Sequence, residues 1–362
     1  MSNILLRKTY KIHKWVGLIS GLLLLIIALS GSILVFREDI NKIQLQPPVV
    51  SYTQEKLSLG KSIRTIAARY PDAEIRLVNA TPNESESLQF SVRKSKTRLT
   101  VYTHPVTGVV LKTIDANSTL VVWMLNLHYN LHAGLTGKTI VLVTGILFLL
   151  SIITGFIIYR KSIWKVLSFN VKVNGKNKRS LSSSLHRTIG VWSLLLNFIL
   201  ALTGIIISFS VVSTGFKKKD KKSHSHIPLH INCNIDSTIT KIKAEHQYYT
   251  PNLIRIQAGS QTMQIGGSLP DDFPLYFPFV NRIKVDLNTG KVIGKFERMT
   301  EKSVGEKFNE LVKPLHFGEY GGLAIKFFYC LAGLSIPFLS ITGFALWMLK
   351  RRQPQKTKPI LA

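Results

Sequence analysis

Cysteine is almost missing from this 362-residue chain, which has only Cys233 and Cys330. So few exclude a disulfide scaffold. With one near the middle and one inside an apolar run, they assign no redox compartment. Acidic residues are scarce as well, at 19 Asp+Glu against 47 Lys+Arg, and the net charge of +28 first suggests a nucleic-acid partner. Apolar residues are not scarce. They make up 46% of the chain, which excludes a disordered tail or a collagen-like polymer.

Four apolar runs lie near residues 15–36, 139–159, 189–212 and 325–349. Each exceeds about 18 residues, enough to cross a hydrocarbon core of about 30 Å at roughly 1.5 Å per residue. Each must be a helix, because lipid offers the backbone no hydrogen-bond partner. Residues 1–14 carry Arg7, Lys8, Lys11 and Lys14; the link between the second and third runs carries eight basic residues, from Arg160 to Arg187; the tail carries Lys350, Arg351, Arg352, Lys356 and Lys358. None of these segments holds an acid, and all 19 carboxylates lie within 37–138 and 213–324. By the positive-inside rule both termini are cytoplasmic and both long connections are outside. This distribution removes the case for nucleic acid and leaves membrane lipid as the partner of the runs. The basic surplus of the outer segments reads as a solvated surface or as a mild preference for anionic lipids or ligands. Ala28-Leu29-Ser30 after a basic start resembles a signal-peptide cleavage site. The run is too long for one, and Ala201-Leu202-Thr203-Gly204 repeats it where no cleavage makes sense.

That match belongs to a repeat covering the chain. Ile12-His13-Lys14-Trp15-Val16-Gly17 opens the first span and Leu185-His186-Arg187-Thr188-Ile189-Gly190 the third. Leu131-His132-Ala133-Gly134 precedes the second span and Leu315-His316-Phe317-Gly318 the fourth. Ile153-Thr154-Gly155-Phe156 with Tyr159 matches Ile341-Thr342-Gly343-Phe344 with Trp347. Each copy therefore reads span, outer domain, span, and the two copies enter the membrane in the same direction about a pseudo-two-fold axis along its normal. His13 then faces His186 at the cytoplasmic end, and His132 faces His316 at the outer end.

One histidine at a span end is ordinarily structural. Two brought together by symmetry, in matching contexts next to small residues, suit an axial pair for haem iron inside a four-helix bundle. No Cys-x-x-Cys-His is present, so the expectation is two bis-His b-type haems rather than covalent c-type ones. A structural zinc site needs four closed protein ligands, and the span ends offer no thiolate and only Glu319 as a carboxylate. His128 lies four residues before His132, so on a helix both rings share a face, and either could oppose His316; the repeat favours His132. In a looser cluster, His224, His226 and His230 beside a lysine-rich run offer zinc or copper a site, or form a polar linker.

The outer segments read as small α+β domains. Residues 59–70 have helical spacing and stop at Pro71, and strand-like runs follow near 74–79, 87–93, 98–104 and 109–112 after a Thr-Gly turn. In the second copy a helix is expected over 237–249, and the sheet is harder to place because of Gly266-Gly267 and the proline-rich stretch 271–279. Neither segment has a recognisable nucleophile–base pair or phosphate-cradling loop. In the spans, Gly17 and Gly21 could seat a close helix crossing within the bundle or between subunits.

The helix-and-strand unit with its Thr-Gly turn resembles a PepSY domain. Leu185-His186-Arg187-x-x-Gly190, with Thr-Gly-Phe-x-x-Tyr/Trp at 154–159 and 342–347, resembles the PepSY-associated transmembrane proteins, often called iron-regulated membrane proteins, over roughly residues 7–350. The resemblance implies a bacterial inner-membrane protein whose fold is a four-helix transmembrane bundle of two parallel repeats with two PepSY-like periplasmic domains. Its segments would be 1–36, 37–131 (first outer domain), 132–160, 161–185, 186–212, 213–315 (second outer domain), 316–350 and 351–362. It also implies similarity to haem-containing ferric-siderophore reductases. His13 and His186 would hold an inner haem, and His132 or His128 with His316 an outer one. Quinol or a cytoplasmic reductant would supply electrons for a ferric siderophore or other ferric chelate. The alternatives are a non-enzymatic anchored module that regulates an envelope partner, and metal handling by the 224–230 loop.

Overall fold

The computed structural model describes residues 3–95, 97–216 and 229–351. In chain order the elements are α1 (Asn3–Leu34), α2 (Arg37–Leu45), α3 (Leu59–Arg69), β1 (Glu74–Leu77), β2 (Leu88–Lys94), β3 (Thr97–Thr103), β4 (Val110–Asp115), α4 (Leu120–Asn130) and α5 (Gly134–Tyr159). They continue as α6 (Ile163–Leu167), α7 (Lys178–Trp192), α8 (Leu194–Phe216), α9 (Ile235–Glu245), β5 (Thr250–Ile256), β6 (Thr262–Ser268), β7 (Asn281–Asp286), β8 (Val292–Glu297), α10 (Val304–Phe317) and α11 (Gly322–Arg351). The chain divides into a helical unit (1–36, 124–217 and 315–362) and an outer unit (37–123 and 218–314).

In the helical unit four helices are long and apolar enough to cross a membrane, within Asn3–Leu34, Gly134–Leu167, Leu194–Phe216 and Gly322–Lys350. The third apolar run is not one helix, because Ser193 separates α7 from α8. Helix α1 packs on α5 and α11, α5 packs on α8, and α11 packs on α7. The buried face of α1 is small: Ser20, Gly21, Ala28, Ser30 and Ser32 all lie there. A Cβ at Gly21 would stand 3.7 Å from Ser340 Cβ on α11, so this glycine serves a crossing inside the bundle. On α1 the buried hydroxyls of Ser20 and Ser32 return to their own helix, Ser20 to Val16 O at 2.8 Å and Ser32 to Ala28 O at 2.9 Å, which satisfies them without water.

The outer unit corrects the expectation of two separate small domains. Both outer segments contribute to a single eight-stranded sheet of order β4-β3-β2-β1-β5-β6-β7-β8, antiparallel throughout. Four strands alone leave an unpaired inner edge, and joining β1 to β5 removes both such edges at once. One apolar core serves the whole unit: Ile63 and Ile66 of α3 with Ile239 and Ile242 of α9 cover Ile75, Leu77, Ile254 and Ile256. Fully burying a side chain of this size stabilises the fold by roughly 1.5–3 kcal/mol.

The second copy has the same helix–four-strand order as the first, its helix beginning at Ile235 rather than 237. Asn234 caps α9 through the N–H of Ser237, and Ser58 caps α3 through Lys61. Asp236 accepts from Ser58 Oγ at 2.7 Å and from Gly60 N–H at 3.0 Å, so a residue of the second copy completes the first copy's helix start. The two Thr-Gly turns match as well. Gly108 has φ +73° and Gly290 φ +72°, a left-handed backbone that a side chain would strain.

Candidate functional site

The histidines that matter sit on four different helices, each at a position within the helical unit. The His13 ring on α1 lies 6.3 Å from that of His186 on α7, centre to centre, at an interplanar angle of 80°. The His128 ring on α4 lies 6.1 Å from that of His316 on α10, at 46°. All four are half-buried.

His132 is not part of either couple, contrary to the pairing favoured by the repeat. Helix α4 ends at Asn130, and Leu131 and His132 take left-handed backbone angles of φ 52° and 55°. His132 therefore does not share a helix face with His128, because the helix stops before it, and it is exposed. A signal for the right choice was present. Thr154-Gly155 and Thr342-Gly343 stand 188 residues apart, and the same spacing carries Leu127-His128 onto Leu315-His316. Both histidines occupy the last turn of the helix that precedes a long apolar helix.

Each ring is received by the same small device on a neighbouring helix, a hydroxyl residue followed by glycine: Thr154-Gly155 for His13, Thr342-Gly343 for His186, Ser30-Gly31 for His128 and Thr203-Gly204 for His316. The glycine makes room. A Cβ would stand 2.8 Å from His128 Cε1 at Gly31, 3.0 Å from His316 Cε1 at Gly204, 3.2 Å from His13 Cε1 at Gly155 and 3.5 Å from His186 Cε1 at Gly343. Nδ1 is received by the hydroxyl, by the carbonyl three residues before it, or, for His13, by both. His13 Nδ1 lies 3.0 Å from Ser151 O and 3.1 Å from Thr154 Oγ1, and His128 Nδ1 lies 2.8 Å from Ile27 O. His186 Nδ1 meets Thr342 Oγ1 at 2.9 Å, and His316 Nδ1 meets Thr203 Oγ1 at 3.0 Å.

These partners fix the tautomer. A carbonyl can only accept, and the Thr342 and Thr203 hydroxyls already donate to Phe338 O at 2.9 Å and Ile199 O at 2.6 Å. Each Nδ1 therefore carries the hydrogen, and each neutral ring keeps its lone pair on Nε2, which makes no hydrogen bond among the described residues. The roles of Thr154, Thr342 and Thr203 were not read from the sequence, although the recurring hydroxyl–Gly pair was visible there; at the fourth site the Ser30 hydroxyl turns back to Ile26 O and Ile27 O, and the Ile27 carbonyl alone receives His128.

Two ring nitrogens on opposite sides of one metal ion, at about 2.0 Å each and about 1.1 Å from their ring centres, put those centres about 6.2 Å apart. Both couples have this spacing. Among the described residues no three His, Cys, Asp or Glu side chains gather into a metal-binding group, so the protein offers two nitrogens per site and not a closed zinc tetrahedron. A donor set of two imidazole nitrogens per site fits a haem group. His13 and Gly31 are eighteen residues apart on α1, so the two couples lie about 27 Å apart along that helix. His224 and His226 of the loop cluster fall outside the described residues. His230 is exposed, and its backbone N–H donates to the Gln261 side chain.

The fold and these couples describe a multi-pass membrane protein with paired imidazoles inside its helical unit. A family model for the PepSY-associated TM region matches residues 10–350, and the chain belongs to that family. No curated protein matches the chain.

Proposed function

We propose that the chain is a di-haem b electron-transfer protein of the bacterial inner membrane, with both termini cytoplasmic and the outer unit periplasmic, where it reduces ferric chelates such as ferric siderophores. The observation that carries this reading is the pair of imidazole couples at bis-ligand spacing, each Nδ1 engaged and each Nε2 left with a lone pair. When bound, haem supplies one-electron redox chemistry at each level.

The protein's own work is holding and orienting. His13 with His186, and His128 with His316, would hold the two groups through their Nε2 atoms. The hydroxyl–Gly pockets lock each ring's rotation and tautomer and raise ligand basicity through Nδ1–H. The apolar bundle excludes water between the levels. Electrons would enter from quinol or a cytoplasmic reductant. Reduction of the substrate iron to Fe(II) weakens its hold on hard oxygen donors, which releases it. The outer unit fits the PepSY-like reading through its twofold repeat of one helix and four strands.

Absorption spectra with pyridine-haemochrome quantification of the purified protein test this. About two haems are expected in the parent, with one lost in His186→Ala, a different one lost in His128→Ala or His316→Ala, and none lost in His132→Ala. A parent without a Soret band after expression in haem-sufficient cells would leave an anchored, non-enzymatic binding module as the reading.

A further inference from the structure

We propose that the outer sheet binds a small multivalent oxyanion, a ligand with clustered carboxylate or phosphate oxygens, among Arg76, Arg93, Arg98 and Arg255 on the face turned away from α3 and α9. The proposal stands whether or not the histidine couples carry haem.

Strand register puts these residues on one face. Arg76 pairs with Arg255 across β1 and β5, Glu74 with Arg93 across β1 and β2, and Arg93 with Arg98 across β2 and β3. Their neighbours Ile75, Val92 and Ile256 point into the apolar core on the other side. The sheet thus sets two arginine pairs directly opposite one another, an arrangement that costs stability unless something compensates. The first pair is compensated: Glu74 Oε1 accepts from Arg76 Nε at 2.8 Å and from Arg255 Nε at 2.6 Å. The second is compensated only in part: neither Arg93 nor Arg98 makes an ion pair among the described residues. Loss of solvent and then the like charges of Arg76 and Arg98 press the Arg93 pKa below its ordinary value, and the attraction of Glu74, already paired with Arg76 and Arg255, does not cancel this.

The pseudo-two-fold of the sheet supplies an internal control. It runs between Arg76 and Arg255 and carries Arg93 and Arg98 onto Gly266 and Arg282, which are also register partners. There one arginine has become glycine, and Arg282 is neutralised by Glu310 at 2.9 Å. The second copy has solved the charge problem internally. The first copy keeps two opposed guanidiniums with their donors unspent, on a framework Glu74 holds in place. Planar guanidinium forks match carboxylate and phosphate oxygens two at a time, which gives the ligand its chemical class. A sequence that breaks a pairing rule on one side only, without an internal remedy, is what a binding site looks like.

The full-length protein in phosphatidylcholine nanodiscs is titrated with citrate and with inorganic pyrophosphate, following heat of binding and unfolding temperature. The parent should bind at least one probe and unfold at a higher temperature with it. Arg93→Gln/Arg98→Gln should bind about tenfold more weakly or worse, yet without ligand unfold no earlier than the parent, because a like-charge opposition is gone. Arg282→Gln should bind as the parent does. A response to neither probe, but a higher unfolding temperature in phosphatidylglycerol than in phosphatidylcholine nanodiscs that the double variant loses, would identify the anion as a lipid headgroup. No response in any arm, binding by the double variant within about twofold of the parent, or equal loss in Arg282→Gln overturns the proposal.

Discussion

A histidine ring in this protein is only as well placed as the glycine it leans on. Gly31 and Gly204 stand so close to His128 and His316 that a methyl group would sit 2.8 Å and 3.0 Å from Cε1, whereas at Gly343 the distance to His186 is an ordinary 3.5 Å. Gly31→Ala and Gly204→Ala should therefore push the outer rings out of line and weaken haem retention there by about 10–100-fold. Gly343→Ala should leave the inner couple nearly unchanged. Haem content after dilution into apomyoglobin reads the difference, and equal loss in all three would show that ring clearance is not what these glycines supply.

At the scale of the element, the weak point is the joint between β1 and β5. Its two central arginines face each other, and one carboxylate, Glu74, holds both. Burial acts to raise the Glu74 pKa, but the hydrogen bond and charge of Arg76, with the charge of Arg255, outweigh it and leave the carboxyl below its ordinary 4.5. A depressed carboxylate pKa contributes stability that is present above the unfolded value and lost as pH falls through the folded one. Outer-unit stability should therefore be fully present above the ordinary carboxylate range and decline as pH falls through the lowered Glu74 pKa. Glu74→Gln should cost about 1–3 kcal/mol at neutral pH by leaving Arg76 and Arg255 opposed, and should flatten that acid limb. Thermal unfolding as a function of pH measures both. A parallel acid limb in the variant would assign the pH dependence to other carboxylates.

For the whole molecule, the proposed di-haem function predicts vectorial electron transfer. Proteoliposomes loaded with a reductant should reduce an external ferric chelate, and His13→Ala and His316→Ala should each abolish this, since either level alone leaves about 27 Å of bundle without a redox centre. Reduction that persists in either variant would remove that couple from the path. Much of this architecture was legible in the chain itself. Run length fixed four crossings, because each must be long and apolar to span lipid. The matching Thr-Gly turns anticipated that both outer segments run one helix and then four strands, because duplication keeps motif order. Hydrophobic period gave helix α3 and the four strands of the first outer segment, with α3 ending just before Pro71 and β1 beginning at Glu74, but not α2. Three things needed the folded chain. His128 rather than His132 opposes His316 because α4 ends in two left-handed residues, a backbone event that side-chain spacing does not report. The outer segments share one sheet because edge strands seek partners wherever the chain can bring them, and pairing between distant strands leaves no local period. The hydroxyl–Gly pockets acquire meaning only when another helix delivers a ring to them. The sequence determined which segments lie in lipid and which residues come in pairs, since both are written in composition and repetition. Which histidine meets which, and which arginines stand face to face, depend on helix ends and strand register, and only tertiary structure decides those.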